Sequence, residues 1–105
     1  MSAATKRVRA AVFARADGAC EGCGKFISPE TGHLDHFFGR AKAEETVANC
    51  WALCVECDEA KTNNRPTAGY WLRRFIVHSD RLGHLEARER AYAKLTVLQA
   101  KGRAA

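Results

Sequence analysis

Apolar positions along this chain come in short groups with helical or alternating spacing, separated by glycine and polar turns. Val8, Val12 and Phe13 fall on one side of a helix predicted over residues 4–16, with Ser2 or Thr5 as cap and Gly18 beyond its end. His33-Leu-Asp-His-Phe-Phe38 reads as a strand closed by Gly39, and residues 47–53 as a second extended stretch. A polar loop over residues 40–46 joins them. Residues 58–64 read as a short helix that must end before Pro66. Trp71, Leu72, Phe75 and Ile76 share one face of a helix predicted over residues 67–78, and residues 79–83 read as a break. Leu85, Tyr92, Leu95 and Leu98 form the predicted stripe of a last helix, from 83 or 84 to 101, ended by Gly102.

Helices around two short strands predict an α+β chain with an N-terminal helix and two C-terminal helices. At 105 residues it is expected to be a single domain with little core. A metal is the common staple for such a domain. Five cysteines are present, and four of them form two Cys-x-x-Cys pairs, Cys20/Cys23 and Cys54/Cys57. Nothing at the N-terminus reads as a signal peptide, and no apolar run is long enough to span a membrane. The expected setting is a reducing cytoplasm, where paired cysteines hold zinc rather than form disulfides. Gly22 and Gly24 let the first pair bend back toward the ion. Cys50, left over, is expected to be a small core residue.

Charge is unevenly spread. Residues 1–15 carry Lys6, Arg7, Arg9 and Arg15 with no acid. Residues 16–64 carry four Lys/Arg against nine Asp/Glu, a net of −5. Residues 65–105 carry nine against three, a net of +6. An acidic centre attracts cations, and basic flanks attract phosphates. A basic run on its own is as readily a solvated helix face.

Between the cysteine pairs lies Asp35-His36, and Asp58 follows Cys57 directly. A histidine titrates near neutral pH and suits a general base, while two carboxylates suit a hard divalent ion. His33 shares a strand face with Asp35 and can approach either the ion or DNA. Arg40 and Lys42 after the strand, and Lys61 on the helix, are candidate phosphate contacts. Taken singly, each residue has a plainer use: Asp-His as polar surface, Asp58 as an acid at a helix start, Asn49 as a turn residue.

Together, Cys20-Glu-Gly-Cys23, Leu34-Asp-His-Phe37, Asn49-Cys-Trp-Ala-Leu-Cys54 and Cys54-Val-Glu-Cys57-Asp-Glu-Ala-Lys-Thr62 resemble the HNH endonucleases, also called ββα-metal or His-Me finger nucleases. The resemblance covers residues 20–62, and implies a zinc-stapled core over 1–64 with a helical extension over 65–105. It implies that His36 is the general base and that Asp35 and Asp58 hold a catalytic Mg²⁺ or Mn²⁺. Asp58 departs from the His or Asn usual in the family. Asn49 would steady the loop between the strands, and Cys20, Cys23, Cys54 and Cys57 would hold a structural Zn²⁺. The substrate implied is DNA, double-stranded, in a bacterial or phage-infected cell, with a phage or mobile-element origin by analogy. The C-terminal helices have three uses open to them: packing on the core, DNA contact or a partner protein. Two alternatives stay open: a zinc-stabilised DNA-binding module without catalysis, and a nuclease subunit that needs a partner.

Overall fold

The computed structural model describes residues 3–104. Four helices and one two-stranded sheet make up the α+β chain. It divides into two compact units, Met1–Glu59 and Ala60–Ala105, with the division inside a helix.

In the first unit, α1 (Ala3–Ala16) precedes β1 (His33–His36), β2 (Cys50–Leu53) and the start of α2 (Val55–Thr62). Thr5 lies inside α1, and Ser2 lies outside the described residues. β1 pairs antiparallel with β2, matching His33 to Leu53, Leu34 to Ala52, Asp35 to Trp51 and His36 to Cys50. Both strands are shorter than their sequence pattern. Phe37 and Phe38 turn away, because the Phe38 N–H is taken by the Asn49 side chain at 2.8 Å. Residues 47–49 form a turn, and a single 3-10 turn occupies Lys42–Glu44.

All four β2 residues, Cys50, Trp51, Ala52 and Leu53, are fully buried. α1 packs on this strand through Val12, also fully buried. The outer edge of β2 is not left open. Glu21 N–H donates to Ala52 O at 2.8 Å, and Ala52 N–H donates to Glu21 Oε1 at 2.9 Å. Arg15 holds Glu21 in place with a two-pronged ion pair, Nε to Oε2 and Nη2 to Oε1, both 2.8 Å. The same guanidinium donates to Val47 O and Cys50 O, both at 2.9 Å. One arginine thus ties α1, the first cysteine turn and β2 together. Its planar fork does this and a lysine could not.

In the second unit, Thr67 caps α3 (Ala68–Arg81), its Oγ1 accepting from Tyr70 N–H at 3.1 Å. Trp71 and Phe75 are buried, as their helical spacing predicts. α3 runs beyond the expected break: His78 and Ser79 are buried within it, and the chain turns only at Gly83, with φ of +73°. α4 (Leu85–Ala104) packs on α3 through a different stripe from the predicted one. Leu95 is buried, but its partner is Ala91, fully buried one turn earlier, while Leu85 and Tyr92 are each 57% exposed and Leu98 39%. A small alanine lets two helices approach closely, an advantage that a tally of large apolar residues misses. No helix among the described residues is long and apolar enough to cross a membrane.

Arg15→Ala is expected to cost about 3 kcal/mol, because Glu21 keeps its charge in a largely buried place without its partner. Arg15→Lys should recover less than half of that loss. Urea denaturation of the zinc-loaded protein measures both.

Candidate metal centre and the residues around it

The sequence places the four paired cysteines at two turns, and the fold brings these turns together. Cys20–Cys23 sits in a tight hairpin after α1, where Cys20 N–H donates to Lys25 O and Gly24 N–H to Cys20 O, both at 2.8 Å. Gly24 takes a φ of +84°, a left-handed conformation that glycine adopts at little cost. Cys54 directly follows β2 and Cys57 lies in the first turn of α2. Their four sulfurs all lie within 4.8 Å of one another. A tetrahedron of Zn–S bonds of about 2.3 Å has edges of about 3.8 Å. Cys23 Sγ and Cys54 Sγ are 3.8 Å apart.

The surroundings favour thiolates bound to a cation. Gly22 N–H and Cys54 N–H point at Cys20 Sγ, at 3.3 and 3.2 Å, and Cys57 N–H points at Cys54 Sγ at 3.4 Å. Burial pushes the Cys20 thiol up, yet backbone N–H groups from Cys54, Cys23 and Gly22 overcome it and hold this thiol below its ordinary value. Burial pushes the Cys54 and Cys57 thiols up, and their close neighbours add to the rise at Cys57. Packed together without a cation, these sulfurs oppose one another's ionisation; a dication removes that opposition. Gly22 leaves the space this needs. A Cβ there would lie 3.0 Å from Leu53 Cδ2 and 3.4 Å from Cys57 Sγ. The four cysteines are therefore placed to bind a metal ion, and zinc fits the set. Cys50 stays apart, fully buried, its thiol pushed up to about 11 by burial and then by the Glu45 charge. None of the five cysteines forms a disulfide.

Around this centre, strand alternation sorts the other candidates. His33 and Asp35 share one face of β1, and His36 lies on the other. His33 Nδ1 lies 3.1 Å from Asp58 Oδ2, joining β1 to the first turns of α2. Asp35 is 9% exposed, and its Oδ2 accepts Trp51 Nε1–H at 2.8 Å from the residue directly opposite on β2. The adjacent pair Asp35-His36 is thus split. His36 has a side chain only 7% exposed, and its Nε2 meets Glu45 Oε1 at 2.7 Å. An ionised carboxylate only accepts, so in this contact Nε2 is the donor. Nδ1 is buried and has no partner among the described residues. Glu45 Oε2 in turn accepts from Thr5 Oγ1 at 3.0 Å, linking His36 to α1.

Asn49, 3% exposed, braces the loop between the strands. Its Oδ1 accepts Phe38 N–H at 2.8 Å, and its Nδ2 donates to Glu44 O at 2.9 Å and Gly39 O at 3.3 Å. Arg40 is exposed on that loop, Lys42 lies in the 3-10 turn with its side chain outside the described part, and Lys61 lies in the last turn of α2. Among the described residues, the four cysteines are the group of three or more His, Cys, Asp or Glu donors drawn within one ion's reach; His33, Asp35 and Asp58 do not form a second. Sequence reasoning did not single out Glu45, Thr5, Trp51, Glu21 or Arg15 as partners. Each acts through a contact made by folding, and no local spacing announces it.

No protein-family model, curated protein or solved structure matches this chain.

Removing the metal should unfold the first unit. Treatment with a strong chelator, or Cys54→Ser, is expected to abolish stoichiometric zinc and collapse the amide NMR dispersion of residues 3–59. Gly22→Val should weaken zinc binding about tenfold or more, since its branches would meet Leu53 and the Cys57 sulfur; a competition titration with a chromophoric chelator reads it.

Proposed function

We propose that this chain is a metal-dependent DNA endonuclease of the HNH type. One observation carries the reading: a strand hairpin and a helix, joined at four clustered cysteines, bring His33 of β1 within 3.1 Å of Asp58 of α2 on the strand face that also bears Asp35. A donor set of carboxylates and imidazole beside open solvent suits a divalent ion. Such an ion, when bound, would stabilise the charge on the phosphate and on the leaving 3′ oxygen. Asp35 and Asp58 are the residues assigned to hold it.

In this reading His36 takes the proton from the attacking water. Glu45 occupies Nε2, so Nδ1 is the ring nitrogen left for that role. Water does not reach Nδ1 in this structure, and Asp35 lies on the opposite strand face. The end of β1 and the loop over residues 37–49 must therefore shift as DNA and the ion bind, a tightening common at hydrolytic sites. The basic residues of 1–15 and 65–105 supply charge for the phosphate backbone.

The burial of His36 favours a second reading. An imidazole 7% exposed and bonded to Glu45 also serves as a structural brace, and the chain would then be a zinc-stabilised DNA-binding module without catalysis. A plasmid-nicking assay with Mg²⁺ or Mn²⁺ decides between them. The nuclease reading expects nicking by the zinc-loaded wild type, and a loss of about 100-fold or more in His36→Ala with DNA affinity retained. Binding without nicking in both proteins, across a panel of divalent ions, would leave the second reading standing. Raising salt from 50 to 200 mM should weaken DNA binding steeply under either reading.

A further inference from the structure

We propose that the groove between α3 and α4 is a docking site for a partner protein, which lays an acidic amphipathic helix into it. The assignment goes beyond the nuclease reading and does not depend on it.

The groove lies within the second unit, at the end of the helix pair away from the turn at Gly83. Leu95 reaches the start of α3 there, its Cδ1 3.7 Å from where a Cβ on Gly69 would stand. α4 has 20 residues and α3 has 14, so α4 outruns its partner helix at this end. The groove encloses about 420 Å³, with Ala68 and Leu72 on the α3 side and Val97 and Leu98 on the α4 side. Its α4 wall runs from Ala93 to Lys101, about 12 Å at the helical rise of about 1.5 Å per residue. That length matches apolar anchors at i, i+4 and i+7 of a docked helix. Val97 is 54% exposed and Leu98 39%. Scattered apolar residues on a surface need no account, but two neighbours lining one groove do.

Charge selects the occupant. Lys94 and Lys101 line the same groove, two turns apart on α4. The Arg73 guanidinium reaches back to this end, 3.2 Å from the Cβ position of Gly69. Residues 65–79 carry three arginines, and residues 90–102 carry Arg90, Lys94 and Lys101, with no acid in either stretch. The acids of residues 65–105 are Asp80, Glu86 and Glu89, all near the turn at the opposite end, where Arg88 pairs with Asp80 and Glu89. The helix pair is thus polarised, with its groove end cationic and complementary to an acidic segment. A second copy of this chain would bring the same cations to the groove and be repelled. A DNA backbone would satisfy the lysines but leave Val97 and Leu98 without apolar cover. A helix with leucine-like anchors flanked by Asp and Glu meets both demands.

The test uses the full zinc-loaded chain and three fluorescein-labelled synthetic helices. The first has leucine at i, i+4 and i+7 with glutamate around them; the second replaces its glutamates with lysine, the third its leucines with serine. The first should bind with a Kd below about 100 µM, and the other two about tenfold more weakly or worse. Amide shifts on binding should fall on Ala68, Leu72 and residues 93–101. Val97→Ser combined with Leu98→Ser should weaken the first helix about tenfold or more. Lys94→Glu combined with Lys101→Glu should reverse the preference, so that the lysine helix binds better than the glutamate helix. Amide spectra check the folding of both variants, and the charge reversal keeps the test decisive if the serine variant loosens the helix pair. No binding at millimolar peptide, equal affinity for the glutamate and lysine helices, or shifts outside the groove would each overturn the proposal. So would groove shifts produced by a short DNA duplex and by no peptide, which would give this face to DNA, or a dimer in sedimentation that Val97→Ser dissolves, which would give it to a second copy.

Discussion

Four sulfurs drawn within 4.8 Å of one another set the geometry on which the first unit depends. The turns that carry them lie 30 residues apart in the chain, with the hairpin between them. Closing that long loop costs entropy that a small core offsets poorly, and a bound dication offsets it well. Cys54 lies between β2 and α2 and Cys57 in the first turn of α2, so the closed cluster also sets the angle at which strand becomes helix. The contact between His33 and Asp58 follows from that angle. Arg15 and Glu21 complete the arrangement by sealing the free edge of β2, which would otherwise offer open backbone groups to another chain.

The hairpin shows how a strand divides chemistry between its faces. Asp35 and His36 are neighbours in sequence, yet a pleated strand sends them to opposite sides. One face carries His33, which meets Asp58 of α2, and Asp35, which meets Trp51. The other carries His36, which is held through Glu45 to Thr5 of α1. The imidazole is thereby held in one orientation and largely out of solvent.

The local patterns carried much of the fold. Two Cys-x-x-Cys pairs, the first with Gly22 inside it, announced the group placed to bind a metal, and the spacing of Trp71 and Phe75 announced the buried face of α3. The strands were legible in type but too long, because Asn49 captures Phe38 N–H and ends the pairing early. The stripe on α4 was misread at Ala91, since close helix approach favours a residue that hydropathy barely marks. Glu45 had no signal at all: it sits in a polar loop nine positions from the histidine it engages.

By itself the sequence determined which atoms could be metal ligands, where helices and strands lie, and how charge is distributed, because these depend on residue type and near-neighbour spacing. Only the tertiary structure decided which candidates meet. It joined His33 to Asp58, gave Asp35 to Trp51, and withdrew His36 to Glu45. The reason is physical: strand alternation and the docking of α1 on β2 assign each side chain a face and a partner, and neither is written in any short stretch of chain.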